Sequence, residues 1–345
     1  MAWRAYPAIQ HVIAAGIVAG TTVAFLVVSG YDLSASLSAL WRGAFGSIDA
    51  VLSSTLVRAI PLVMLGIGVA VAFRVGVFNV GGDGQFLVGA AAGTWIALLD
   101  LQIPAVLTVC LALCAGAFAG GLWGLLPAAL RLRWGVFEVL STLMLNFIAA
   151  NFVSYLVRGP LQEPTGIYPQ SPTVSTQLPV IIPGTRLHAG FIIALLCALT
   201  AWVWISFHAS GFRTRLTGAN PTAASSAGLI NTGRLTLGVF IASAALCGAA
   251  GAIEVLGVTF ALYENLSPGY GFTAVVVALL AGLHPLGVIV CAILLAALDA
   301  GAAAMQRDAG VPSVTAWIVQ AFVVLAILAT AALTRRQRLA RFVSR

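Results

Sequence analysis

Eight polar side chains stand out against the apolar sequence around them. Asn79, Asp83 and Gln85 fall in the glycine-rich run 78–86. Glu138, Ser141, Thr142 and Asn146 recur every three to four residues, the spacing of one helix face, and Glu254 sits alone in the apolar stretch 235–256. Such amides and carboxylates can hydrogen-bond a hydroxylated solute or relay a proton. An ionisable group inside an apolar span is costly, so its default reading is functional. Two structural roles compete with that reading. Asp83 can cap a helix N-terminus, and the Glu138 to Asn146 stripe can join helices by interhelical hydrogen bonds. The depth of Glu254 favours the wall of a pathway.

Other chemistry has no home in these residues. All 17 basic residues are Arg, so no lysine serves a Walker A loop, a Schiff base or a Ser-Lys dyad. Cys110, Cys114, Cys197, Cys247 and Cys291 lie in apolar runs without a CxxC pair, and they read as small packing residues. His11, His188, His208 and His284 are far apart, and no serine lies in GxSxG. Gly66–Val71 lacks the βαβ context of a dinucleotide fingerprint. The expectation is therefore no catalytic residue, no resident metal and no cofactor in this chain.

These polar positions must be held by membrane-embedded helices. Of 345 residues, 61% are apolar and 8% charged, and the mean hydropathy is +1.04. That leaves too little polar surface for a water-soluble globule. A helix crosses the hydrocarbon with about 20 apolar residues. Ten candidate spans follow: 11–29, 59–73, 84–100, 104–130, 137–157, 189–207, 235–256, 272–283, 286–305 and 313–333, the second and eighth short. The first follows Arg4 and is expected to be a retained signal anchor. Threaded from an inside N-terminus, twelve arginines fall inside and Arg42, Arg58, Arg158, Arg186 and Arg307 outside. Both termini are then cytoplasmic, with 335–345 a basic cytoplasmic tail. Arginines placed at the ends of apolar runs report topology and give no nucleic-acid surface.

Ten spans divide into five plus five, and an odd number per half inverts the second half, the signature of an inverted repeat. A faint echo links 78–86 with 264–272: each joins a glycine-rich break to a small-residue apolar stretch. Breaks at membrane depth persist where they face protein or water, so both are expected to point at a pathway. Outside the membrane, 30–58 carries Leu33, Leu37, Leu40 and Trp41 on a stripe and reads as an interfacial helix, and 158–188, with six prolines, as an extracytoplasmic loop. On the cytoplasmic side, the loop 208–234 spells a short helix: Asn220 as N-cap, Pro221 in the first turn, Ala224 within it and Gly228 at the C-terminal cap. The ladder Gly116, Gly120, Gly124 and the pairs Gly16/Gly20 and Gly89/Gly93 are small-residue seams for close helix packing.

Seven segments together resemble the permease subunits of ABC importers of the ribose and nucleoside type. They are Phe78–Gln85 (FNVGGDGQ), Gly135–Asn146 (GVFEVLSTLMLN), Gly218–Asn231 (GANPTAASSAGLIN), Gly251–Gly257 (GAIEVLG), Ser267–Phe272 (SPGYGF), His284–Gly287 (HPLG) and Ala304–Pro312 (AMQRDAGVP). The resemblance runs from about residue 60 to the end, and its STLMLN and AMQR segments are closest to the nucleoside branch. It departs from the family at Asp83, where Glu is usual, and at Ala219, where an acidic residue is common.

What the resemblance implies is an all-α permease of about ten spans in the bacterial cytoplasmic membrane, paired with a second permease chain, probed from outside by a substrate-binding protein and driven by ATPase subunits that hold ATP and Mg. The loop around Asn220, Pro221, Ala224 and Gly228 would be the coupling helix; Asn79, Asp83, Gln85, Glu138, Asn146 and Glu254 would line the substrate pathway. Simple sugars such as ribose are the rival substrates. A secondary transporter would need more buried acids than Asp83, Glu138 and Glu254 supply, and a membrane enzyme would need a converging constellation that is missing here.

Overall fold

The computed structural model of the chain describes residues 20, 23–99, 101–226 and 231–312, together with 314, 317, 318, 321, 322 and 325. The expected first and tenth spans, the basic tail, Gly16 and Gly228 lie wholly or largely outside them. Among the described residues all regular structure is helical: α1 (Leu33–Phe45), α2 (Leu56–Arg74), α3 (Gly82–Leu98), α4 (Ala105–Trp134), α5 (Glu138–Arg158), α6 (Gly190–Phe207), α7 (Ala209–Ala219), α8 (Pro221–Ser226), α9 (Thr232–Glu254), α10 (Tyr270–Leu280) and α11 (Pro285–Ala309). π-helical turns extend α2 backwards over Ala50–Thr55 and α9 onwards over Val255–Thr259.

Six helical stretches among the described residues are long and apolar enough to cross a membrane: Ala50–Arg74, Ala105–Trp134, Glu138–Arg158, Gly190–Phe207, Thr232–Thr259 and Pro285–Ala309. Helix α3, at 17 residues, and α10, at 11, are shorter. The expected span 59–73 needs correcting, because its helix runs through 25 residues, Ala50–Arg74. Ser53, Ser54 and Thr55 look like a polar boundary in sequence, yet the chain satisfies Thr55 internally: its hydroxyl donates to the Ala44 carbonyl at 2.8 Å. A polar group with its bond made no longer ends a buried helix.

The chain divides into two compact units. The larger, 56–294, is organised around α2, α3, α4 and α9. Helix α2 is apolar on every side, and 83% of its spanning window is buried, against 33% for α4 and 28% for α6. It is the central helix, whereas α4, α5 and α6 present Leu122, Phe147 and Leu196 outwards. The glycine seams explain how α3, α4 and α9 come together. A Cβ on Gly120 would stand 2.6 Å from the Gly248 Cα, and one on Gly116 would stand 2.7 Å from the Ala252 Cβ. Only hydrogen fits at such an approach.

The smaller unit takes in 1–55 and 295–345. Helix α1 starts as its sequence dictates: the Asp32 carboxylate accepts from the Ser34 and Ala35 amides at 2.8 and 3.0 Å. Its Ala39 buries against Leu26, Met305 and Val311, and Leu33 and Leu40 pack on the same cluster, so of the expected stripe only Leu37 and Trp41 stay exposed, together with Phe45.

Candidate functional site

The segment 75–81, between α2 and α3, has no regular structure, so its backbone groups need other partners. Asn79 supplies one of them and is itself held by two side chains. Its amide and that of Gln85 form a reciprocal pair at 2.9 and 3.0 Å. It also donates to the Ser243 hydroxyl of α9 at 3.0 Å and accepts from the Gly81 amide at 3.1 Å. From α5, Asn146 accepts from the Gly84 amide at 2.8 Å and donates to the Val80 carbonyl at 3.0 Å. Asn146 thereby does for the break what a helix would have done.

Asp83 corrects one expectation. It lies inside the first turn of α3 and does not cap its own helix, whose N-cap is Gly81. Its Oδ1 instead accepts from the Ser267 hydroxyl at 2.5 Å and from the Gly271 amide at 2.9 Å, so it caps α10. Ser267 completes that cap by accepting from the amides of Gly269 and Tyr270. The two breaks that echo one another in sequence therefore meet in space. Gly82 and Gly271 are the contact, where a Cβ on Gly82 would stand 3.3 Å from the Gly271 Cα, and the rings of Phe86 and Tyr270 pack edge to face at 5.7 Å.

Glu138 begins α5 and is bound by Arg131 at 2.5 Å and by the Phe78 amide at 3.3 Å. An acid in the first turn of α5 and Arg131 in the last turn of α4 both suit the helix dipoles. Ser141 and Thr142 bond back to carbonyls of their own helix. Glu254 closes the regular part of α9 and takes a side-chain hydrogen bond from Tyr270. Beyond it the backbone turns sharply, with positive φ at Phe260, Asn265 and Gly269.

On the side of the molecule where α5 ends, Arg158 clasps Glu264 with two bonds at 2.6 and 2.8 Å, and the Ser154 hydroxyl donates to the same carboxylate. Arg158 holds the Glu264 carboxyl well below the usual range, at about 2. Nearby, burial and then the Arg186 charge push His188 down to about 4, so it is neutral at pH 7. The proline-rich loop is pinned to the stretch beyond Glu254 through Ser171 to Leu262, Val174 to Phe260 and Leu178 to Leu256.

At the opposite end, Asn220 caps α8 by accepting from the Ala223 amide at 3.0 Å, Pro221 opens the helix and Ala224 is buried. The sequence reading missed α7, which precedes it. Gly211, Thr214 and Thr217 form its buried side, and their polarity hid the packing.

The structure thus gathers Asn79, Asp83, Gln85, Glu138 and Asn146 around one break and places Glu254 at the other, all six buried. Sequence reasoning passed over their partners Ser243, Ser267, Tyr270 and Arg131. It also passed over Asp299, an acid in the middle of α11 whose only signal is its place within the ninth apolar run. Among the described residues no group of three or more His, Cys, Asp or Glu could hold a metal ion. The arrangement ties the two broken segments to one another and to α5 and α9.

Long apolar helices, small-residue seams and paired polar breaks define a multi-pass membrane transport subunit. Residues 51–331 match the family described as the branched-chain amino acid transport system permease component, and the chain belongs to that family. It is 38% identical to a guanosine ABC transporter permease of Bacillus subtilis, over 92% of this chain and 91% of that one. It is 35% identical to a glucose ABC transporter permease of Haloferax volcanii, over 80% and 76%. Against a nucleoside ABC transporter permease of Lactococcus lactis the figures are 30%, 86% and 84%. No solved structure matches the chain.

Proposed function

We propose that this chain is the permease subunit of an ABC importer that carries a nucleoside across the bacterial cytoplasmic membrane. The observation that carries the reading is likeness to guanosine and nucleoside permeases over nearly the whole chain. In this proposal the chain crosses the membrane ten times as two inverted five-helix repeats, with both termini in the cytoplasm. A separate ATPase binds ATP and Mg, which fits a chain without a single lysine. An extracytoplasmic binding protein delivers substrate, and a second, related but different permease chain completes the pathway.

Asn79, Asp83, Gln85, Glu138, Asn146 and Glu254 serve the pathway by holding its two breaks, and transport exchanges some of their bonds. Asn220, Pro221, Ala224 and Gly228 form the coupling element that meets the ATPase. The likeness to a glucose permease supports a second reading, the same role for a simple sugar.

Mass spectrometry of what co-purifies with the tagged chain in gentle detergent tests the assembly. The expected result is an ATPase with a lysine-bearing phosphate loop and a second permease. Repeated recovery of this chain alone, still able to transport, would sink the proposal in favour of a secondary transporter.

A further inference from the structure

Where α3 ends and α4 begins, a cavity of about 430 Å³ opens that none of the six pathway residues lines. Its size falls in the range of about 300 to 1,000 Å³ typical of small-molecule sites. One part of its wall is polar: Gln102, Thr108, Thr173, Ser175 and Thr176. The side chains of these five make no hydrogen bond within the described residues. They remain free to bind something else. Leu99, Leu101 and Ile103 supply an apolar part.

The polar wall is built rather than loose. Val174 and Leu178 turn inwards and are buried, and their amides donate to the Phe260 and Leu256 carbonyls at 2.8 and 2.9 Å. Thr173 and Ser175, on either side of the buried Val174, are exposed and line the cavity. Thr108 stands on the first turns of α4, and Gln102 is held at a positive φ of 52°, a conformation that costs energy for a residue with a side chain. The carbonyls that pin the loop belong to the broken stretch just beyond Glu254.

Among the described residues the lining contains hydroxyls, one amide and apolar surface, and no cationic side chain. Hydroxyls and an amide suit a polyhydroxylated ring, apolar side chains suit a flat base, and the missing cation leaves nothing to offset the desolvation of a phosphate. We propose that this cavity is a handover site for an uncharged nucleoside, occupied between release from the binding protein and entry to the pathway. The inference rests on the nucleoside reading and extends it, since it selects nucleoside over nucleotide and over free sugar.

Saturation-transfer NMR on the full chain in lipid nanodiscs tests the site with guanosine, guanosine monophosphate and ribose as probes. The expected result is guanosine binding at least fivefold tighter than either other probe. Thr108→Val with Thr173→Val, which removes two hydroxyls at nearly constant shape, should weaken guanosine at least fivefold, and Thr108→Ser with Thr173→Ser should restore it. The three-probe comparison on the unaltered chain can still refute the site even if the valine variant fails to fold. Equal binding of guanosine and its monophosphate, or undiminished binding by a folded valine variant, would overturn the site. Proteoliposomes with the partner subunits separate this from the underlying reading: guanosine transport without guanosine binding to the chain overturns the site alone. Absence of both overturns the nucleoside reading and the site with it.

Discussion

At the scale of single residues, the buried polar groups work by satisfying backbone that the breaks leave open. Asp83 is the sharpest case, since its carboxylate answers both the Ser267 hydroxyl and the Gly271 amide across the meeting point of two segments. Asp83→Ala strands those donors in a buried place and should cost about 1–3 kcal/mol. Asp83→Asn, which keeps an acceptor, should cost less. Thermal unfolding in detergent checks the order, and equal midpoints for the two variants would refute the capping role. The Arg158 clasp makes a pH prediction. The Glu264 carboxyl falls from its ordinary 4.5 to about 2 on folding. Its contribution is therefore whole above pH 4.5 and fades as pH falls from there towards 2. Hydrogen exchange of 260–269 should be faster in Arg158→Gln than in the native chain at pH 7, with the difference shrinking below pH 4.5. Sequence marks Asn79, Asp83 and Glu254 because polarity is rare in this chain. It hides what they hold, because Ser243, Ser267 and Gly271 stand 164 to 188 residues away from their partners.

At the scale of elements, glycines decide which helices touch. Gly120→Ala would drive a methyl into the Gly248 backbone and should cost about 1–3 kcal/mol as α4 and α9 separate. Gly121→Ala, one residue on, meets the Ile241 side chain at 3.4 Å, an ordinary contact, and should be close to neutral. Denaturation of the two variants under one set of conditions measures the contrast. The seams were legible because a four-residue repeat of small side chains survives in sequence. So was the start of α8, since Asn220 and Pro221 act on their own backbone. The π-helical turn before α2 and the whole of α7 were not. Their polar residues bond to nearby carbonyls, Thr55 to Ala44 and Thr214 to Ser210, and apolar periodicity cannot register such local bonds.

At the scale of the whole molecule, the membrane nature follows from composition, while topology rests on where the arginines fall. Cysteine placed at Ser225 in α8 and at Ser175 in the proline-rich loop should react with a membrane-impermeant maleimide from opposite sides, the second in intact cells and the first only after lysis. Labelling of both from outside would refute the proposed orientation. The proposed cargo is a nucleoside, with a simple sugar as its rival. Uptake of labelled guanosine, in cells with and without this chain and with excess glucose or ribose present, tests the central claim most directly. The account predicts that uptake falls at least tenfold when the chain is deleted, returns with its gene and ignores both sugars. Uptake unchanged by deletion, or abolished by glucose or ribose in the intact strain, would contradict it.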